Sequence, residues 1–168
     1  VEAVTDQLLS ILKKSGLRTV TLAPESTWNL RKVVNKSLTD EDIFQAVKKT
    51  FQQDMNVKLY FLVGLPTETL KDLEELKSSI RSLQREAPKK SSLRVSVNPF
   101  IPKPHTPFQW CQQEDEASLR VKQEILQNGL QSKGVRLSWH DPNVSLLESS
   151  ISRGDRRTGK VIKRAWEL

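Results

Sequence analysis

The residues best suited to chemistry stand where runs of β-branched and apolar residues stop. After Arg18-Thr19-Val20-Thr21-Leu22 come Ala23, Pro24, Glu25, Ser26 and Thr27. After the run Val57 to Val63 come Gly64, Leu65, Pro66, Thr67 and Glu68. After Leu93 to Val97 come Asn98, Pro99 and a proline-rich stretch, and after Val135 to Trp139 come His140 and Asp141. In parallel α/β folds, ligands gather at the carboxyl ends of strands, so these groups belong on one face. Glu25 can accept hydrogen bonds from a ribose or an ammonium group. It serves equally as an acid favouring the dipole of a helix beginning at Trp28. Gly64 lets a ligand approach the backbone, and read alone it is first a strand-to-helix turn. Asn98 can bind a ligand or start the turn before Pro99, the turn being the first reading. His140-Asp141 invites an acid–base role, but an Asp N-cap ahead of Pro142 explains the aspartate without catalysis.

Other chemistries find little support. Cys111, His105 and His140 lack the regular ligand spacing of a zinc site, so no metal site is assigned to this chain. No phosphate-cradling glycine loop or nucleophile elbow is present. Arg153-Gly154-Asp155 resembles an adhesion tripeptide, a match short enough to arise by chance. A single cysteine excludes an internal disulfide and argues for a reducing, cytoplasmic setting. No apolar run has the length to span a bilayer, and no membrane association is expected. Lysine and arginine exceed acids by 27 to 20, giving a net charge of +7. Much of the excess sits late, in Arg153, Arg156, Arg157, Lys160, Lys163 and Arg164. That stretch reads first as a solvated face and only second as a nucleic-acid site.

The elements that must position these residues follow from periodicity. Val4, Leu8, Ile11 and Leu12 recur at helical spacing, and Gly16 suits the C′ position after that helix. A strand over Arg18 to Leu22 leads into a loop over Ala23 to Thr27, where Pro24 breaks the pattern. A short helix is expected from Trp28 to Asn35. Thr39-Asp40-Glu41-Asp42 reads as a capping box for a helix burying Ile43, Val47 and Phe51. The nearly continuous apolar run Val57 to Val63 suits a strand covered on both faces. Thr69 caps the next helix, with Asp72 at its third position and Leu70, Leu73, Leu76, Ile80 and Leu83 as its core stripe. Leu93 to Val97 is a strand, and Asn98 to Gln113 a long loop. A helix from Glu114 to Ser132 ends at Gly134, and Val135 to Trp139 is a fourth strand. Asp141-Pro142 starts a further helix, and a last one ends near Trp166. The order α-β-α-α-β-α-β-α-β-α-α predicts an α/β fold with about four parallel strands. Right-handed crossovers allow an open doubly wound sheet or a piece of a βα barrel, and the pattern alone does not choose.

Three stretches carry a resemblance. They are Thr19-Val20-Thr21-Leu22-Ala23-Pro24-Glu25, then Leu59-Tyr60-Phe61-Leu62-Val63-Gly64-Leu65-Pro66-Thr67-Glu68-Thr69, then the run Val95 to Trp110 with its four prolines. All three resemble radical S-adenosylmethionine (SAM) proteins, most nearly a bacterial group with an upstream cobalamin-binding-like domain and no firmly assigned substrate. Ser138-Trp139-His140-Asp141-Pro142 and Arg153-Gly154-Asp155-Arg156-Arg157 are similar to later segments of the same group.

The resemblance implies a partial (β/α) barrel with helices on the outer face, residues 1–168 being the C-terminal portion and 140–168 a helical extension. It implies SAM as cofactor, with Glu25 and Ser26 at its ribose and methionine part. The backbone of Leu62, Val63 and Gly64 would flank the adenine, Asn98 would lie near the same pocket, and Lys36 would reach the SAM carboxylate. It also implies a [4Fe–4S] cluster, whose cysteine motif belongs to an earlier strand. One cysteine cannot supply its ligands. Cobalamin and an unknown substrate complete what the resemblance suggests. The family's Gly-Ser pair after the acid is absent from Glu25-Ser26-Thr27-Trp28, which puts the methionine end of the SAM pocket in question. The chain begins at Val1 inside a helical pattern and stops at Leu168 without a tail, so both ends read as cut. The expectation is an inactive isolated fragment that requires the N-terminal half of the barrel as partner. The alternative is a non-catalytic module binding a partner half-barrel or RNA.

Overall fold

The computed structural model describes residues 4–130 and 135–168. Its elements are helix α1 (Asp6–Lys14), strand β1 (Thr19–Glu25), helices α2 (Trp28–Val33) and α3 (Asp40–Gln52), and strand β2 (Asn56–Val63). There follow α4 (Leu70–Arg85), β3 (Leu93–Pro99), α5 (Glu116–Leu130), β4 (Val135–Trp139), α6 (Pro142–Ser152) and α7 (Thr158–Trp166). The expected helix end at Ser132 and Gly134 lies outside the described residues. All strand pairs are parallel, in the order β1-β2-β3-β4. Spatial order equals chain order with no reversal, so right-handed crossovers place the connecting helices on one face. The result is the expected α/β fold: four parallel strands in one sheet, with helices outside.

That covered face holds the core. Val57, Leu59, Phe61 and Val63 of β2 and Leu93, Val95 and Val97 of β3 meet Val47 of α3, Ile80 of α4 and Leu126 of α5. Burying each such side chain contributes about 1.5–3 kcal/mol. The opposite face is more open, although Ser96 of β3 is buried on it. Along β2, buried residues alternate with half-exposed Asn56, Lys58, Tyr60 and Leu62. The expectation that this strand is covered on both faces is therefore corrected. Lys58 and Tyr60, read as interruptions of an apolar run, mark a second and polar face.

The helix starts follow local chemistry. Thr39 with Asp42, and Thr69 with Asp72, form complete capping boxes. The Asp141 side chain accepts from the Asn143 N–H at 2.9 Å, with Pro142 in the first turn. Asp115 accepts from the Ser118 N–H at 2.8 Å, which sets the start of α5 at Glu116 rather than at the expected Glu114. Gly16 follows α1 with φ +93°. β1 runs on to Glu25, through residues expected to form a loop. Pro24 is tolerated because β1 is an edge strand and a register shift lies between Leu22 and Glu25. Among the described residues no helix is long and apolar enough to cross a membrane.

Candidate functional site

The strand ends are uneven, and this produces a notch. β1 pairs with β2 only as far as Glu25↔Phe61, whereas β2 pairs with β3 as far as Val63↔Pro99. The β1 side of β2 is thus unladdered over its last two residues, Leu62 and Val63. At the lip of this notch the Ser26 N–H donates to the Pro24 carbonyl at 2.9 Å, and Glu25 between them has φ +68°. A non-glycine residue held there costs on the order of 1–3 kcal/mol and persists only where its surroundings impose it. Here they do. Lys36 Nζ donates to the Ala23 carbonyl at 2.5 Å and to Glu25 Oε1 at 2.9 Å. Arg31, buried in α2, donates to the Ser26 carbonyl and to the Asp40 carboxylate at the start of α3. Two cations thus tie down the end of β1.

The structure brings some of the singled-out residues together. Glu25 and Lys36 form an ion pair with side chains 25% and 33% exposed. In α2, Thr27 makes no side-chain cap and no acid occupies the first turn, and Glu25 pairs with Lys36 instead of serving that helix end. Leu62 and Asn98 are register partners on neighbouring strands. Ser26 is 2% exposed. Val63 is buried in the core, and its carbonyl accepts from the Phe100 N–H at 2.7 Å. Gly64 has φ +81°, and its N–H donates to Glu68 Oε1 at 2.9 Å. A Cβ on Gly64 would fall 2.7 Å from Glu114 Oε2, so the close approach at this glycine is made by the chain's own Glu114. The proline-rich loop is braced on α6 by a Lys103–Glu148 ion pair and by Arg153, which donates to the Gln109 and Cys111 carbonyls at 3.0 and 3.3 Å.

Comparison with known proteins bears on this strand-end geometry. Residues 2–80 match the radical SAM superfamily. The matching segment includes Glu25, Ser26, Lys36, Leu62, Val63 and Gly64, while Asn98 lies beyond it. An uncharacterised protein of Methanocaldococcus jannaschii is 35% identical over 164 residues, covering 96% of this chain and 35% of that protein. The chain thus spans about a third of the length of the curated relative it matches. Elp3 of Methanocaldococcus infernus, with an N-terminal deletion, superposes with a TM-score of 0.69 at 14% identity. That likeness covers 86% of this chain and 38% of the other, and it shows the fold alone.

At the edge of the radical SAM-matching segment lies a cluster that reading the sequence missed. Lys122 Nζ sits 2.7 Å from Glu68 Oε1 and 2.7 Å from Glu114 Oε2. The Glu68 side chain is only 1% exposed, and its Oε2 has no hydrogen-bond partner among the described residues. Burial pushes the Glu68 carboxyl above its ordinary range, although Lys122 and the Gly64 N–H oppose the shift. Burial works against the Lys122 charge, but the two carboxylates outweigh it and hold the ammonium above its ordinary range. The cluster borders an open cleft of about 470 Å³ between the Gly64–Glu68 turn and the Cys111–Asp115 segment. The available signal was positional. Lys122 occupies a core-stripe position of α5, between Leu119 and Leu126.

A [4Fe–4S] cluster does not fit these residues. The chain has one cysteine, and among the described residues no group of three or more His, Cys, Asp or Glu is placed to hold a metal.

Proposed function

We propose that this chain forms the SAM-facing part of a radical SAM enzyme acting on an unassigned substrate. What carries the reading is the notch: a bulged, constrained strand end bearing Glu25, set against β2 backbone that β1 leaves unpaired. The superfamily match over residues 2–80 supports it. In this reading Glu25 accepts from the ribose hydroxyls, and the backbone at Leu62, Val63 and Gly64 borders the adenine. Lys36 exchanges part of its bond to Glu25 for the SAM carboxylate. Ser26 contributes backbone, because its side chain is buried, and Asn98 closes the side next to Leu62.

SAM, bound beside a reduced cluster, is a source of adenosyl-radical chemistry. This chain lacks the cluster's ligands, so no step through a cluster is assigned to it. The cluster and the remaining strands belong, in this proposal, to the rest of a longer polypeptide or to a partner half-barrel. The coverage of about a third of the curated relative supports that part of the reading.

The test is titration calorimetry of SAM with the wild-type chain and with Glu25→Ala. The wild type should bind saturably. Loss of a charged hydrogen-bond acceptor should weaken binding by roughly tenfold or more. Absence of saturable binding, or equal affinity in the two proteins, would sink the reading.

A further inference from the structure

The sheet face turned away from the helices carries a pattern of its own. Strand register aligns Thr21, Lys58, Arg94 and Arg136 in one row across all four strands. Two residues onward, Tyr60, Ser96 and Ser138 form the next row, and Leu62 and Asn98 the row after that. Alternation places these residues opposite the core positions Leu59 and Val95. Every polar side chain in the three rows can donate a hydrogen bond, and none is a carboxylate.

Adjacent strands lie about 4.7–4.9 Å apart, so the three cations start from backbone within about 10 Å of one another. Like charges directly across neighbouring strands repel, and such a row is destabilising unless something neutralises it. No described residue does. Among the described residues, neither Arg94 nor Arg136 has a side-chain hydrogen bond or an ion pair, and both are exposed. Lys58 Nζ donates to the Tyr60 hydroxyl at 2.6 Å and lies 4.4 Å from the Tyr60 ring centroid. Its ammonium therefore leans toward the hydroxyl row and the carboxyl ends of the strands.

We propose that this face binds a small ligand through a phosphoryl or pyrophosphoryl group. Lys58, Arg94 and Arg136 neutralise its charge, and Tyr60, Ser96 and Ser138 donate to its oxygens. A row of three cations backed by three hydroxyls suits a multiply charged group with several acceptor oxygens, and the arginine fork matches phosphate geometry. The inference does not rest on the SAM reading. The assay contains no SAM, so either can fail while the other stands.

The experiment is calorimetric titration of the chain with pyrophosphate. The double variant Arg94→Ala/Arg136→Ala is compared with the control Lys163→Ala/Arg164→Ala, which removes the same charge from α7. The first should weaken binding at least about tenfold, and the control by less than about twofold. Equal losses in the two variants, or no saturable wild-type binding up to about 10 mM, overturn the proposal. Should the double variant fail to fold, Lys58→Gln decides by the same criterion against the same control. A mononucleotide that displaces pyrophosphate as well as an oligonucleotide does supports a small phosphorylated ligand. Displacement by the oligonucleotide alone overturns it.

Discussion

Replacing Lys122 by methionine removes one charge from the cluster behind Gly64 and keeps most of the side-chain volume between Leu119 and Leu126. The lysine makes two 2.7 Å bonds, to Glu68 and Glu114. The side chains of Lys122, Glu68 and Glu114 are 11%, 1% and 23% exposed, so solvent screens the pairs only slightly. Breaking a buried pair by removing one partner costs about 3–5 kcal/mol, because a desolvated charge remains. Glu114 can turn toward solvent, and Glu68 keeps the Gly64 N–H. The lower end of the range, about 3 kcal/mol, is therefore expected. In a domain of this length that lowers the melting temperature by about 6–12 °C.

The pH dependence follows from the same charge. Burial already holds the Glu68 carboxyl above its ordinary range, and loss of Lys122 raises it further. A carboxyl with a raised folded-state pKa binds a proton in the native protein before it does so in the unfolded chain. Stability from that group is fully present below the unfolded value and is lost as pH rises through the folded value. The deficit of Lys122→Met should thus be largest near neutrality and shrink on acidification. Urea unfolding at two pH values measures it, with a lower midpoint and an unchanged slope. Adding Glu68→Gln should restore much of the loss, because the amide keeps an acceptor for Gly64 and carries no charge. A deficit below about 1 kcal/mol, the size of an exposed pair, would refute the argument, as would a deficit independent of pH.

Two further substitutions test the local chemistry. Thr67 is a β-branched, exposed residue with φ +69° in the turn after β2. Thr67→Gly should relieve about 1–2 kcal/mol of left-handed strain and lose about 0.5–1 kcal/mol to backbone entropy, so its melting temperature should rise slightly. Thr69→Ala removes a capping hydroxyl and should cost about 1 kcal/mol, read in the same melting assay. Burial works against the Asp72 charge, but hydrogen bonds from Thr69 and Thr27 hold its carboxyl below the usual range. A depressed folded-state pKa gives stability that is present above the unfolded value and lost as pH falls through the folded one. Thr69→Ala should therefore also flatten the acid limb of the stability curve.

What could be read from the sequence was local. The capping boxes at Thr39 and Thr69, the cap at Asp141 and the turn glycines depend on residues within a few positions of one another, and the element order followed from them. The notch did not, because its cause is distant. Pro24 reads as a breaker until Lys36 is seen holding the carbonyl of Ala23, thirteen residues before it. Arg31 sits in a helix of six residues, too short to show a periodic stripe. Lys122 was visible as a charge in an apolar stripe, but its partner Glu68 lies fifty-four residues earlier. Register was likewise out of reach. Alternation gives the face of Lys58, Arg94 and Arg136, but only strand pairing puts them in one row.

That row settles a choice left open by periodicity alone. In a doubly wound sheet, helices cover both faces, and both carry apolar residues. A second helical layer over this sheet would have to bury Lys58, Arg94 and Arg136 as neighbours with no acid among them, at several kcal/mol for each unpaired charge. The helices here cover one face, as the unreversed strand order requires. A parallel sheet with helices and apolar residues on one face and donors on the other suits the wall of a barrel that encloses a ligand space better than a doubly wound sheet. The same alternation of Val57, Lys58, Leu59 and Tyr60 along β2 that makes the outer core also makes that inner wall.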